Sequence, residues 1–209
     1  MGIEERMSFI PAWHDTGNCM DKRHILWVYE LLMRMKPQRT LEIGGYSGCS
    51  SSAFVAAGIP DAHFAEIAPR RDFIEVVNGH GTIHARKGCE VLDYSDPFDV
   101  VLVDGSHEME AVQEEYAAMM RKPPKVIIAH DVNSAFVGFP LCEGPDWLFN
   151  TLAESGWDGE QDCQLRPFEM THRGIAFFTK DQGLRDMILD AMTAAECLLP
   201  FQSPTVAMP

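Results

Sequence analysis

Residues 98–109 read F-D-V-V-L-V-D-G-S-H-E-M, and residues 125–131 read K-V-I-I-A-H-D. In each, a run of strong strand formers passes directly into an acid and an imidazole: Asp104 and His107 after the first, His130 and Asp131 after the second. Working outward, residues 108–121 carry a helical pattern that joins the two runs. Upstream, strands are expected at Thr40–Ile43, Ala62–Ile67 and Thr82–Arg86. Between them lie a helix ending at Ala57, a helix opened by Pro69 and closed near Asn78-Gly79, and a short turn or helix over Gly88–Tyr94. Strand and helix therefore alternate from residue 40 to residue 129, the signature of right-handed βαβ crossovers and a parallel sheet covered on both faces. In such open sheets ligands lie beyond the carboxyl ends of the strands. Asp104, His107, His130 and Asp131 all fall there.

Both ends of the chain depart from this alternation. Ile25, Val28, Leu32 and Met35 stand at helical spacing over residues 21–36, with Asp21 as N-cap and Pro37 as terminator. After a helix around Asp146–Glu154, strand-like runs near Cys163–Met170 and Gly174–Thr179 are too close together for a crossover, so an antiparallel hairpin is expected. A last helix is expected over roughly 184–199. The chain has 209 residues, which suits a single domain over 1–209 with an N-terminal lid and helix over about 1–37.

Seventeen basic against thirty-one acidic residues give a net charge of −14, the reverse of the basic surface that a phosphate backbone requires. Nucleic acid is thus disfavoured as substrate. The six cysteines contain no C-x-x-C pair and no zinc-site spacing. Reduced thiols in a cytoplasm fit best. An acidic pair stands where a signal peptide carries positive charge, and no stretch is apolar enough to span a membrane. The expected partner is a small-molecule substrate, with no nucleic acid and no membrane; a homo-oligomer stays open.

After the first strand comes L-E-I-G-G-Y-S-G-C-S-S-S, residues 41–52. Gly44, Gly45 and Gly48 permit a tight turn and close backbone approach to a ligand. The nicotinamide fingerprint G-x-G-x-x-G does not fit, because Tyr46 and Cys49 stand where glycines are required. E-x-G-x-x-x-G does fit, with Glu42 placed to accept hydrogen bonds from a ligand's amino group. The bland alternative makes Glu42 a strand acid paired with a Lys or Arg, and Glu66 a cap for the helix at Pro69.

These residues resemble the class I S-adenosylmethionine-dependent methyltransferases, especially the subgroup with D-G-x-H after the fourth strand, which includes metal-dependent sugar O-methyltransferases. The resemblance covers residues 38–180. It implies an α/β Rossmann-like sandwich with a seven-stranded mixed sheet of order 3-2-1-4-5-7-6 and helices on both faces. It implies S-adenosyl-L-methionine as cofactor, held by Glu42, Gly44, Gly45 and Gly48, with Glu66 on the ribose hydroxyls and Asp104 close by. The position beside the adenine carries G-C-E, so either Cys89 or Glu90 serves there or the contact is absent. Two carboxylates at neighbouring strand ends repel unless a proton or cation lies between them, and carboxylate oxygens suit Mg²⁺. By the resemblance Asp104 and Asp131 are ligands of Mg²⁺ or another divalent cation, and His107 is the base. His130 stands where the subgroup has an acid, which weakens a magnesium site and leaves room for manganese, iron or zinc, with His130 as a candidate ligand, or for no metal. In the bland alternative, Asp104 and Ser106 only cap the helix near Glu108.

The activity implied is O-methylation of a small molecule with cation assistance. The alternative is a cofactor-binding fold without transfer, as in hydroxylase-like relatives or a non-catalytic binding module. Residues 9–19, with Trp13 and His14, and residues 135–147, with Phe136 and Phe139, are the expected substrate lids.

Overall fold

The computed structural model describes residues 8–12, 19–132, 143–162 and 174–196. Helix α1 (Lys22–Met35) opens on Asp21, whose side chain accepts the Arg23 N–H, and closes on Lys36 in the left-handed conformation. Its apolar stripe of Ile25, Val28, Leu31 and Leu32 is wholly buried.

The alternating region follows as β1 (Arg39–Ile43), α2 (Ser51–Ala57), β2 (Asp61–Ala65), α3 (Arg71–Val77), β3 (Thr82–His84), α4 (Gly88–Tyr94), β4 (Val100–Val103), α5 (Met109–Arg121) and β5 (Val126–His130). Then come α6 (Glu143–Glu154), β6 (Asp158–Asp162), β7 (Ile175–Thr179) and α7 (Gln182–Glu196). The strands form one seven-stranded sheet in the order β3-β2-β1-β4-β5-β7-β6, as expected. Strands β1 to β5 pair in parallel, whereas β7 runs antiparallel to both β5 and β6.

The apolar runs that announce β4 and β5 are continuous because both faces of the sheet are covered. Val100, Leu102, Val126 and Ile128 pack into one core with α1, α2, α3 and α7. Val101, Val103, Ile127 and Ala129 point the other way, into a second core with α4, α5 and α6. Each strand thus contributes alternate residues to two cores, and a slip of one residue would exchange them.

One strand lies elsewhere than the sequence suggests. β6 is D-G-E-Q-D at 158–162, not Cys163–Met170. A polar edge strand carries no apolar signal, and it exists because β7 offers it a hydrogen-bonding edge. Residues 163–173 lie outside the described ones. The last helix begins at Gln182 rather than Leu184 and is described to Glu196.

Strand order reverses between β1 and β4: the chain winds from β1 through β2 to β3 on one side, then crosses to β4 on the other. The carboxyl ends of β1 and β4 therefore part at a topological switch point, where a cleft opens.

Candidate active site

Two cavities lie at this switch point, one of about 240 Å³ and one of about 400 Å³. Gly44, Tyr46, Asp104 and Gly105 line both, so the β1 and β4 ends form the sill between them. The larger lies within the range of roughly 300–1,000 Å³ common to small-ligand pockets.

The sill depends on close backbone packing. Gly44 has a φ of +90°, and a Cβ there would stand 2.2 Å from the Asp104 carbonyl oxygen. At Gly45 a Cβ would stand 2.1 Å from the Phe73 ring. The Gly48 N–H donates to the Gly45 carbonyl and closes the turn. Tyr46, at the tip, has a φ of +40° and carries the Arg70 guanidinium 4.6 Å from its ring centroid.

Glu66, the first residue past β2, lines the larger cavity. One of its carboxylate oxygens accepts the Tyr46 N–H at 3.0 Å and the other the Ala68 N–H at 3.1 Å. These bonds fix the carboxylate and leave further lone pairs for a ligand. Glu66 does not cap α3, whose N-cap is Arg70.

Glu42 lies beneath the glycine turn with none of its surface exposed, and neither carboxylate oxygen has a hydrogen-bond partner. Burial pushes its pKa up to about 8; the nearby Ser50 and Ser51 hydroxyls only partly oppose this, and the charges of Asp104 and Glu66 add to it. Among the described residues no Lys or Arg pairs with it, so the expected alternative of a strand ion pair is not seen there.

The smaller cavity is lined by Asp104, His107, His130 and Asp131. Ligand atoms of Asp104, His107 and Asp131 all lie within 4.8 Å of one another, close enough to share one cation. His107 Nε2 is 2.7 Å from Asp131 Oδ2. Asp131 is almost wholly buried and has a φ of +61°, and its N–H donates to the Gly174 carbonyl at the β5–β7 junction. Asp is among the non-glycine residues that tolerate the left-handed region, and this backbone turns the Asp131 side chain out of the alternation of β5.

The expected Asp104, Asp131 and His130 converge: His130 Nδ1 lies 2.9 Å from Asp104 Oδ1 and 3.4 Å from Asp131 Oδ1, and its ring is edge-on to buried His24 at 5.5 Å. The group whose ligand atoms all lie within 4.8 Å of one another joins the two acids to His107, the expected base. His130 ends β5 with its side chain under the Asp104 carboxylate, whereas His107 stands on the loop after β4 and reaches across to Asp131. Capping does not explain Asp104 either: the α5 N-cap is Glu108, whose N–H donates to Ser106 Oγ.

No protein-family model matches the sequence, and no curated protein does. Solved structures do match in shape. An O-methyltransferase from Streptomyces achromogenes involved in tomaymycin synthesis superposes with a TM-score of 0.65 at 16% identity, covering 84% of this chain and 89% of that one. A putative caffeoyl-CoA O-methyltransferase from Staphylococcus aureus gives 0.62 at 14% identity, with 87% and 93% covered. An O-methyltransferase from Bacillus cereus, solved in complex with SAH, gives 0.59 at 13% identity, with 85% and 89% covered. The chain has the class I methyltransferase fold.

On this methyltransferase fold, Cys89 lines the larger cavity, with its thiol 3.8 Å from a Glu114 carboxylate oxygen; Glu90 is not among the lining residues. Trp13, His14, Phe136 and Phe139 fall outside the described residues. The N-terminal segment nevertheless reaches the smaller cavity through Cys19 and Met20.

Cys49 and Glu115 are lining residues that the sequence did not single out, and Cys19 closes the expected lid segment 9–19. Cys19 and Cys49 bring their sulfurs together at 2.6 Å, thirty positions apart, which no local pattern announces. Glu115 had a local signal. It shares the buried face of α5 with Val112, Ala118 and Met119, an acid where helical spacing calls for an apolar side chain.

Proposed function

We propose that the chain transfers a methyl group from S-adenosylmethionine to an oxygen of a small molecule, with a divalent cation beside the acceptor. The observation that carries this reading is the junction at Asp104. On one side a cavity holds a fixed carboxylate, Glu66, suited to a vicinal diol; on the other a cavity holds three convergent ligand groups. Glu66 would hold the ribose hydroxyls, and the Gly44–Gly48 turn the amino-acid end above buried Glu42. S-adenosylmethionine, when bound, supplies the activated methyl group.

Asp104, His107 and Asp131 offer the mixed oxygen and nitrogen donors that suit manganese, iron or zinc at least as well as magnesium. These three residues would hold the cation, whose chemistry there would be to lower the pKa of the acceptor hydroxyl. The chain's own task is to orient that hydroxyl and exclude water from it. A net charge of −14 fits a small acceptor rather than a nucleic acid. Among the described residues Cys19, Cys49 and Cys89 form no disulfide, which suits placement in the cytoplasm, and no described helix is long and apolar enough to cross a membrane.

A metal-free reading draws support from the 2.7 Å contact between His107 Nε2 and Asp131. There Asp131 orients the imidazole and the other ring nitrogen takes the acceptor proton. The test supplies methyl-labelled S-adenosylmethionine with hydroxyl and diol acceptors, with and without Mn²⁺. Metal-dependent label in product, lost in Asp104→Asn, supports the first reading. Transfer that ignores both metal and chelator supports the second. Bound cofactor with no transfer to any acceptor favours a binding fold without chemistry.

A further inference from the structure

The lining of the larger cavity includes a buried acid that the methyl-transfer reading leaves without a task. Glu115, on the inner face of α5, lines this cavity together with Glu66 and is 5% exposed. Its Oε2 is enclosed and has no hydrogen-bond partner. The neighbouring cation is already engaged: Lys87 Nζ pairs with Glu114 at 3.2 Å, and the same Glu114 oxygen faces the Cys89 thiol. Burial and the Glu114 charge push the Glu115 pKa up to about 7, with only Lys87 opposing. A buried acid without a partner costs free energy that a ligand donor recovers on binding.

Of the five acids that line the cavity, Glu66, Asp104, Glu108, Glu114 and Glu115, Glu66 and Glu115 are acceptors of different kinds. Glu66, half tied to backbone N–H groups at the sill, suits a diol. Glu115, buried in a lining that also includes Ile43, Gly88, Cys89 and Ala111, suits a single N–H donor on a flat ring. The wall residue that follows β3 offers nothing comparable, since the Cys89 thiol faces Glu114 and Glu90 does not reach the cavity.

We propose that Glu115 reads the base end of the adenosyl group, a carboxyl oxygen accepting a hydrogen bond from the exocyclic amine of the purine. This rests on the adenosyl reading of the cavity given above. It makes the helix after β4, rather than the loop after β3, the element that selects adenine.

Calorimetric titration of the full chain tests it with two ligands: S-adenosylhomocysteine, and its analogue with hydrogen in place of the exocyclic amine. The wild type is expected to prefer the amine-bearing ligand by about tenfold, the worth of one well-made buried hydrogen bond. Glu115→Leu, which exchanges a buried acid for an apolar side chain of similar size, should bring the ratio close to one. Glu115→Gln, which keeps a carbonyl acceptor, should restore most of it. A structural role alone would shift both affinities together and leave their ratio unchanged.

A wild-type ratio near one overturns the proposal without any variant. An unchanged ratio in a folded Glu115→Leu, or in Glu115→Ala should the leucine variant fail to fold, overturns it equally. Failure of the wild type to bind either ligand removes the adenosyl reading itself, a separate outcome from binding without discrimination.

Discussion

Glu42 offers the sharpest quantitative prediction. In the free chain its carboxyl is wholly buried, has no cation beside it, and is pushed from 4.5 up to about 8 by burial. At pH 7, one unit below that value, about nine-tenths of the molecules carry the proton. The amino-acid end of S-adenosylhomocysteine bears an ammonium group, and an ammonium above the glycine turn stabilises the ionised form and expels the proton. Binding at pH 7 should therefore release about 0.9 proton at this site, falling toward about 0.1 at pH 9, where Glu42 is already ionised. Calorimetry in buffers of different ionisation enthalpy measures the number, and Glu42→Gln subtracts the contributions of other groups. The same pKa sets a stability slope. The folded chain keeps this proton up to about pH 8, whereas the unfolded chain loses it near 4.5. Stability must therefore fall as pH rises between these values, by about 1.4 kcal/mol per pH unit and about 5 kcal/mol in all, and Glu42→Gln should flatten the slope. Equal proton release by wild type and Glu42→Gln at pH 7 would refute the placement of the ligand amine above Glu42.

Glu66→Ala should weaken S-adenosylhomocysteine binding by more than about 1 kcal/mol by calorimetry, since a charge-assisted bond to a diol is lost; unchanged affinity removes the ribose assignment. Asp104→Asn should abolish Mn²⁺ binding, measured by electron paramagnetic resonance, while the fold persists, because the change is nearly isosteric. His107→Ala tells a cation ligand from a base: lost Mn²⁺ affinity marks a ligand, and kept affinity with a roughly hundredfold slower rate marks a base. Gly44→Ala combines a left-handed φ with a Cβ 2.2 Å from the Asp104 carbonyl oxygen. It should cost about 3 kcal/mol and lower the Tm by about 10 °C in a thermal melt.

What could be read from the sequence follows physical strength. β4 and β5 are unbroken apolar runs because they are buried on both faces, and the residues that follow them must line the switch-point cleft. Hence Asp104 and Asp131 could be placed together before any coordinates. Strand β6 could not be read, since an edge strand without apolar residues owes its existence to the partner it pairs with. The part of His107 as a ligand neighbour of Asp131 was hidden for another reason: it stands on the loop after β4, and strand periodicity does not say how far a loop side chain reaches across to the next strand end. Glu115 was legible in principle, as one acid on an apolar helical face, but helical spacing does not say that a cavity lies in front of it.

The most direct test of the central claim is native mass spectrometry of the purified chain supplied with S-adenosylhomocysteine, Mn²⁺ and, in a parallel sample, NAD. The reading developed above predicts one adenosyl ligand and one cation per chain, no NAD adduct, loss of the cation alone in Asp104→Asn and loss of the ligand in Glu66→Ala. Retention of NAD, or a wild-type chain that takes up neither S-adenosylhomocysteine nor Mn²⁺, would contradict it.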